Sequence, residues 1–337
     1  MDHIPEAQNI KRAILVGVSQ PGISMQDARE SLEELANLAE TAGFEEVERV
    51  IQNRSRLDPA YYIGSGKAEE LKATVADNDV DAIVFDNDLS PTQMRNLELL
   101  TDARILDRSL LILDIFALHA QTRTAQLQVQ MAHIRYIRPR LHTFNPHKAR
   151  QAGGRAGETW VETSRRNIDY REQTVYAGLK RVQRQMAISR KHRKANAFQV
   201  TLVGYTNAGK STLMRALSGE EVLIQDQLFA TLTPTSRAVY LDRQKRRIVL
   251  TDSVGFIKRL PHHLFESFRA TLAEAVNADL LLHVVDASHP TFLSQIDAVH
   301  EVLGKLEIRD KPILLVYNKM DRVDPKRTQE IQKTCEN

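Results

Sequence analysis

The stretch from Gly204 to Ser211, which reads Gly-Tyr-Thr-Asn-Ala-Gly-Lys-Ser, constrains the fold of this chain more than any other. An apolar run ending at Val203 precedes it, and residues 212–217 follow at helical spacing. Strand, glycine-rich turn and helix in this order form a phosphate-binding loop, in which backbone N–H groups and the helix dipole face a phosphate. In such loops the lysine reaches the β and γ phosphates and the final hydroxyl ligates Mg²⁺. The residues predicted to contact nucleotide here are Gly204, Tyr205, Thr206, Asn207, Ala208, Gly209, Lys210, Ser211 and Thr212.

A switch segment is expected about twenty residues after this loop, where residues 228–235 lie. A threonine in that position completes the Mg²⁺ shell and senses the γ-phosphate, and we predict Thr231 for this role, with Thr235 as second candidate. The strand 247–251 then ends at Asp252, which is placed to hold Mg²⁺ through water, while Gly255 leaves its N–H free for the γ-phosphate. The predicted Mg²⁺ ligands are Ser211, Thr231 and Asp252. The predicted catalytic residues are Lys210, Thr231 and Gly255. The nucleotide contacts predicted in these two segments are Phe229, Ala230, Thr231, Leu232, Thr233, Asp252, Ser253, Val254 and Gly255.

The run Asn318-Lys319-Met320-Asp321 identifies the base, and it follows a predicted buried strand at 312–317. A carboxylate at Asp321 accepts hydrogen bonds from guanine N1–H and the 2-amino group, both of which adenine lacks. Asn318 is expected to brace the pocket and Lys319 to lie along the base. Four motifs in the correct order predict a P-loop GTPase domain, with Asn318, Lys319, Met320 and Asp321 as its base-side contacts.

Two positions within these motifs bear on hydrolysis. Phe256 follows Gly255, where many small GTPases have a glutamine that orients water. Phenylalanine cannot do this, so we expect slow unaided hydrolysis that a partner or another residue accelerates. GTPases with asparagine at the position of Asn207 often hold K⁺ beside the phosphates, so Asn207 is a candidate K⁺ ligand.

Strands and helices alternate over the first 115 or so residues. Apolar runs at 13–18, 47–51 and 82–86 and the closing strand 104–107 are separated by helical patterns, of which one begins at the cap Ser90 and the helix-starting Pro91. This alternation predicts a small α/β domain with a parallel sheet. The run Gly64-Ser65-Gly66-Lys67 resembles part of a phosphate loop; we interpret it mainly as a turn capping the next helix, with a second nucleotide site as the alternative.

A basic segment separates this domain from the GTPase motifs. Residues 135–194 contain 16 Lys and Arg against 4 Asp and Glu, a balance of +12, whereas the rest of the chain has 30 against 39, a balance of −9. Apolar residues at helical spacing in 121–141 and 166–194 predict an antiparallel helical hairpin. Such charge is often a solvated helix face, but at this density it favours contact with nucleic acid. The predicted RNA contacts are Arg135, Arg138, Arg140, Lys148, Arg150, Arg155, Arg165 and Arg166.

The expected architecture therefore has three parts: an N-terminal parallel α/β domain over 1–118, the basic hairpin over 119–195 with a loop near 142–165, and a P-loop GTPase domain over 196–337. The single cysteine, Cys335, excludes an internal disulfide framework. The N-terminus lacks the layout of a signal peptide and no apolar run is long enough to cross a bilayer, so we expect a cytoplasmic monomer without a membrane span.

Together these segments resemble the HflX family of ribosome-associated GTPases. The resemblance rests on residues 204–211, on Phe229-Ala230-Thr231-Leu232, on Asp252-Ser253-Val254-Gly255-Phe256-Ile257 and on 111–117 and 126–129, and it covers nearly the entire chain. It implies a protein that binds the large ribosomal subunit, places its hairpin loop near the peptidyl-transferase region, and splits or rescues stalled ribosomes under stress.

The chain departs from the family pattern at two points. The glycine-rich loop, at residues 153–166, is shorter than the family signature, which favours a divergent paralogue. The chain also ends at Asn337, so we expect a fragment or a truncated form of a GTPase domain that needs another strand and a closing helix. The alternatives are a GTPase acting in ribosome assembly or tRNA modification, and an RNA-remodelling protein with impaired nucleotide binding.

Overall fold

The computed structural model describes residues 11–22, 24–141, 165–182, 184–185, 197–219, 228–229, 231–232, 234–241, 246–259, 261, 264–265, 275–308, 310–325, 327–329 and 331. They divide into two compact units, one drawn from Met1–Leu118 and Ala132–Gln173 and the other from His119–Met131 and Thr174–Asn337. Helix α5, described below, runs through both ranges, and the three predicted domain boundaries stay a prediction.

The N-terminal part of the chain forms the predicted parallel sheet. Its strands lie in the order β2-β1-β3-β4 and every pairing between them is parallel. The central strands β1 and β3 are almost wholly buried, because helices cover both faces of a sheet built from such crossovers. The strands are β1 (Lys11–Ser19), β2 (Phe44–Asn53), β3 (Ala82–Phe85) and β4 (Arg104–Asp107).

Four helices follow these strands, and their starts obey local capping rules. Ser90 caps α3 in a reciprocal capping box with Gln93, and Pro91 is its first residue, which confirms that prediction. Gly64 is the N-cap of α2, as the turn interpretation required. Helix α4 was not predicted; Leu111, Ile112, Leu113, Ile115 and Phe116 are buried in it, whereas Leu118 near its end is exposed. The helices are α1 (Met25–Thr41), α2 (Ser65–Asn78), α3 (Pro91–Thr101) and α4 (Arg108–His119).

The predicted antiparallel helices lie between the N-terminal sheet and the GTPase motifs. Helix α5 spans Arg123–Ile137 and ends in a 3₁₀ turn at Arg138–Arg140, and helix α6 spans residues 165–182. Near the end of α5, Arg138 pairs with Glu172 of α6 at 2.7 Å, and near its start Leu127 packs against Gly178. The pairing of later residues of one helix with earlier residues of the other confirms an antiparallel hairpin.

The second unit contains a five-stranded sheet in the order β6-β7-β5-β8-β9. All pairings are parallel except that of the edge strand β6 with β7. Helices α7 (Lys210–Ser218) and α8 (Phe292–Lys305) follow β5 and β8. The strands are β5 (Phe198–Gly204), β6 (Thr235–Leu241), β7 (Arg246–Asp252), β8 (Leu280–Asp286) and β9 (Ile313–Asn318).

The expectation of a buried strand at 312–317 was wrong in one respect. Strand β9 exists, but Ile313 and Leu314 are 41% and 55% exposed. The physical reason is that β9 is an outer strand, paired with β8 on one side in the described sheet. Among the described residues, no helix is long and apolar enough to cross a membrane.

Candidate functional site

The site begins where β5 ends and α7 starts. Lys210 is the first residue of α7, and Gly209 before it has a φ of 92°, in the left-handed region that favours glycine. A Cβ on Gly209 would lie 2.1 Å from Asn318 Nδ2, so the loop also lacks room for a side chain there. Strand, turn and helix therefore have the order predicted for a phosphate-binding loop.

Lys210 is buried inside this loop. Its Nζ donates hydrogen bonds to the carbonyl oxygens of Gly204, at 3.1 Å, and Tyr205, at 2.7 Å. Burial lowers the pKa of Lys210 from its usual 10.5 to about 8, although the nearby Asp252 carboxylate opposes this shift. The ammonium group thus lies among loop carbonyls, where a negatively charged ligand would favour its charged form.

Ser211, Thr231 and Asp252, the three predicted Mg²⁺ ligands, lie together. Ser211 Oγ donates to Asp252 Oδ2 at 2.6 Å, Thr231 Oγ1 donates to the same oxygen at 3.1 Å, and the two hydroxyl oxygens are 3.1 Å apart. Thr235, the second candidate, instead begins β6 opposite Asp252. The contacts of Thr231 therefore favour it over Thr235 as the switch threonine.

The chemistry of this cluster fits a small divalent cation. Burial raises the pKa of Asp252, against the opposing effects of Lys210 and of the two hydroxyl donors. Its second oxygen, Oδ1, is buried and has no hydrogen-bond partner in the described part of the chain. Two hydroxyls and a carboxylate are hard oxygen donors of the kind that Mg²⁺ prefers, so Ser211, Thr231 and Asp252 would hold it and it would offset phosphate charge.

The segment after Asp252 hydrogen-bonds back onto the loop. Ser253 Oγ donates to the Leu202 carbonyl at 2.6 Å, and Phe256 N–H donates to the Gly204 carbonyl at 3.1 Å. The Phe256 side chain is 2% exposed. It is therefore part of the packed interior, in agreement with the expectation that it does not orient water.

The predicted base-side residues lie at the end of β9, where Asn318 is the last residue of the strand, and in the turn that follows it. Asn318 Nδ2 donates to the Ala208 carbonyl at 2.9 Å and so links this motif to the loop. Lys319 Nζ pairs with Asp286 Oδ2 at 2.7 Å; burial alone would raise the pKa of Asp286, but the hydrogen bonds from Lys319 and Ser288 lower it. The Asp321 side chain is 80% exposed, so its carboxylate is accessible to a base.

The remaining predicted nucleotide contacts differ in how far they are buried. Phe229 and Leu232, on either side of the switch threonine, are 3% and 2% exposed, and Phe229 has a φ of 59°. Asn207, the candidate K⁺ ligand, is exposed and has a φ of 58°. Tyr205 and Thr206 lie in the loop between β5 and α7, and Thr212 lies in α7. Val254 follows β7, and Met320 begins the 3₁₀ turn after β9. Ala230 and Thr233 lie outside the described residues.

The predicted RNA contacts have different surroundings. Arg135, Arg165 and Arg166 are exposed on the two hairpin helices. Arg138 pairs with Asp169 at 3.1 Å as well as with Glu172, and the Arg140 side chain is only 12% exposed. Lys148, Arg150 and Arg155 lie outside the described residues.

Arg140 belongs to a buried cluster that the sequence analysis missed. Its Nη2 lies 3.4 Å from Asp107 Oδ2, and the Tyr136 hydroxyl donates to the same oxygen at 2.9 Å. Burial raises the pKa of Asp107 to about 6, although the Leu110 N–H and Arg140 act in the opposite direction. This cluster fixes the 3₁₀ turn after α5 to the end of β4, and its one sequence signal was an aspartate as the last residue of a buried strand.

The second nucleotide site suggested by Gly64-Ser65-Gly66-Lys67 gains no support from the local contacts. The Gly64 N–H donates to Gln52 Oε1 at 2.9 Å, and a Cβ on Gly64 would lie 2.6 Å from Arg54 Nη1. The start of α2 is therefore already in contact with side chains from β2 and the residue after it.

The family models and relatives that match this chain are described as GTPases, in agreement with a phosphate-binding loop at residues 204–211. Family models described as GTP-binding GTPase N-terminal, GTP-binding GTPase Middle Region and 50S ribosome-binding GTPase match residues 29–117, 119–193 and 199–319. The GTPase HflX of Lacrimispora saccharolytica is 44% identical over 330 residues, covering 96% of this chain and 77% of that protein. The GTPase HflX of Flavobacterium psychrophilum is 43% identical over 320 residues, covering 94% and 77%.

A solved structure extends the likeness to three dimensions. The crystal structure of SsGBP in complex with GDP covers 97% of this chain and 89% of that chain, with a TM-score of 0.56 and 26% identity. The identity to the curated relatives is high enough, over enough of both chains, to decide the family. This chain belongs to the HflX family of GTP-binding P-loop GTPases.

Proposed function

We propose that this chain binds GTP through residues 204–212, 229–233, 252–255 and 318–321, and hydrolyses it with Mg²⁺ held by Ser211, Thr231 and Asp252. The observation that carries the proposal is the convergence of these three oxygen-bearing side chains, in which both hydroxyls contact Asp252 Oδ2 while Asp252 Oδ1 is buried without a hydrogen-bond partner among the described residues. Lys210 supplies positive charge to the phosphates, and Gly255 supplies its N–H to the γ-phosphate.

Guanine selectivity is assigned to the base-side motif. Asn318 is held against the loop through Ala208, and Asp321 lies three residues later, in the 3₁₀ turn Met320–Arg322, with an accessible carboxylate. That carboxylate accepts from guanine N1–H and the 2-amino group and would face an acceptor in adenine.

We further propose that the GTP-bound chain binds the large ribosomal subunit and dissociates or rescues stalled ribosomes in the cytoplasm. Two observations support this: a matching family is described as 50S ribosome-binding, and residues 135–194 carry a balance of +12. Arg135, Arg165 and Arg166 are exposed on the hairpin, which suits contact with rRNA phosphates.

Co-sedimentation tests the ribosomal proposal. The chain is pelleted with purified 50S or 30S particles in the presence of GDP or a non-hydrolysable GTP analogue, and Lys210→Ala and an Arg135→Glu, Arg165→Glu, Arg166→Glu variant are compared with wild type. We expect wild type to pellet with 50S and the GTP analogue, and the charge-reversed variant to lose this binding even with the analogue and to show a flatter salt dependence. Reversing Arg215, Arg246 and Arg247, three exposed arginines outside the basic segment, is the matched control.

A preference for 30S particles would contradict the 50S proposal and favour a role in subunit assembly. Loss of 50S binding in the control equal to that in the hairpin variant would show that net charge alone matters. Either result would remove the assignment of the hairpin as the ribosome-contacting element.

Asn207 carries a separate proposal, that K⁺ beside the phosphates stimulates hydrolysis. Its exposure and left-handed backbone leave its side chain at the edge of the loop. Steady-state hydrolysis in matched K⁺ and Na⁺ buffers tests it: we expect faster turnover in K⁺, and equal turnover in both buffers would refute it.

A further inference from the structure

Phe256, which directly follows Gly255, is attached to the phosphate-binding loop by two backbone hydrogen bonds. Phe256 N–H donates to the Gly204 carbonyl at 3.1 Å, and Thr206 N–H donates to the Phe256 carbonyl at 2.8 Å. Together they form a short parallel bridge between Tyr205 and Phe256. Since the Phe256 side chain is buried, this residue fixes the position of its segment and does not act on water.

A side chain of the loop makes a third attachment two residues later. The Tyr205 hydroxyl accepts a hydrogen bond from the Lys258 backbone N–H at 2.7 Å, and Tyr205 is 7% exposed. Tyr205 therefore lies opposite Phe256 in a bridge whose hydrogen bonds are made by its neighbours Gly204 and Thr206, and its own hydroxyl makes the attachment at Lys258.

Gly255 lies directly before these attachments and close to the catalytic lysine. A Cβ on Gly255 would lie 2.7 Å from Thr206 Cγ2 and 3.2 Å from Lys210 Nζ. The Gly255 backbone is thus packed against the loop beside the Lys210 ammonium. A change in the position of residues 256–258 would move Gly255 relative to Lys210, because the backbone between them is continuous.

We propose that Tyr205 is a positioning residue for GTP hydrolysis, whose hydroxyl holds Lys258 and thereby keeps the Gly255 N–H in place for the γ-phosphate. This proposal rests on the assignment of Gly255 to the γ-phosphate in the proposed function. In the proposed binding mode the loop amides and Lys210 hold the diphosphate part of the nucleotide, so loss of the Tyr205 hydroxyl is expected to affect the triphosphate state and not GDP binding.

Tyr205→Phe removes only the hydroxyl and is compared with Tyr240→Phe, which removes a hydroxyl from a tyrosine that is 60% exposed on β6. The measurements are the single-turnover hydrolysis rate with and without 50S particles and the Kd values for GDP and a non-hydrolysable GTP analogue. For Tyr205→Phe we expect about a tenfold fall in rate and in analogue affinity, the size of effect that loss of one buried hydrogen bond gives, with the GDP Kd unchanged. Tyr240→Phe is expected to match wild type in every measurement.

Lys258→Pro removes the donor N–H from the other side and keeps the Tyr205 hydroxyl, so it is expected to give the same selective loss. Amide exchange of residues 255–259 in the analogue-bound state is expected to accelerate in Tyr205→Phe. Wild-type hydrolysis by Tyr205→Phe, or equal losses of GDP and analogue affinity, would overturn the positioning role. A wild-type chain that binds no guanine nucleotide would overturn the proposed function as well, and the two failures are therefore distinguishable.

Discussion

Ser211 Oγ lies 2.6 Å from Asp252 Oδ2, although 41 positions separate these residues in the chain. Strands β5 and β7 are parallel neighbours with Leu202 opposite Asp252, so both strands end at the same edge of the sheet. The loop after β5 and the segment after β7 therefore meet there, and Thr231 joins them with a hydrogen bond of its own.

The first prediction concerns the metal dependence of nucleotide binding. Ser211→Ala removes one oxygen of the cluster and leaves the burial of Asp252 unchanged. We expect Mg²⁺ to lose about ten- to a hundredfold in affinity, so that EDTA weakens GDP binding far less in the variant than in wild type. The measurement is the GDP Kd with Mg²⁺ and with EDTA, and Ser294→Ala, an exposed serine on α8, is the control. An unchanged ratio of the two Kd values in Ser211→Ala would exclude Ser211 as a ligand.

The second prediction follows from the lowered pKa of Lys210, about 8 in the nucleotide-free fold. At pH 8.5 this lysine is about three-quarters neutral, and bound phosphates restore its charge, so nucleotide binding takes up about three-quarters of a proton. At pH 7 the uptake is expected to vanish. Calorimetric titration in buffers of different ionisation enthalpy measures the uptake directly.

The same shift predicts how folding stability depends on pH. The folded, nucleotide-free chain holds the Lys210 proton less tightly than the unfolded chain, so unfolding takes up a proton between about pH 8 and 10.5. The contribution of Lys210 to the free energy of unfolding therefore rises with pH across this window. A buffer-independent binding enthalpy at pH 8.5 would contradict both parts of the prediction, and Lys210→Arg, which stays charged, is the control.

The third prediction concerns the fit of the loop against the base-side motif. In Gly209→Ala the new methyl group meets Asn318 Nδ2 and the backbone stays in the left-handed region, so we expect a loss of about 1–3 kcal/mol in stability and a large loss of guanine-nucleotide affinity. Gly304→Ala, in helix α8 with nothing within 4 Å, is expected to gain about 0.5–1 kcal/mol and to bind normally. Thermal unfolding and nucleotide Kd are measured for both, and wild-type affinity in Gly209→Ala would show that the Asn318 contact is dispensable.

Sequence reasoning predicted most of what local patterns can specify. The loop between β5 and α7, the order of the four motifs and the parallel sheet follow from short stretches with strong periodicity. The capped start of α3 at Ser90 and Pro91 has the same origin, because a cap and its partner lie within one helical turn.

The remainder depends on contacts between distant residues or on patterns without period. Apart from Asp114, helix α4 is apolar from Leu110 to Phe116, so it lacks the rhythm that distinguishes a helix from a buried strand. The charge of Arg140 alone predicts an RNA contact, whereas its contact with Asp107 depends on residues 33 positions apart and has no local sequence signal. The bond between the Tyr205 hydroxyl and Lys258 crosses 53 positions and has no sequence signature.

The central claim is that occupancy of one guanine-nucleotide pocket governs binding to the large ribosomal subunit. Replacing Asp321 by asparagine presents a donor in place of the carboxylate, and so changes the preferred base from guanine to xanthine. The direct measurement is the fraction of Asp321→Asn that pellets with 50S particles in the presence of non-hydrolysable GTP or XTP analogues. The account predicts that wild type pellets with the guanine analogue alone and the variant with the xanthine analogue alone; pelleting of the variant with either analogue, or with neither nucleotide present, would contradict it.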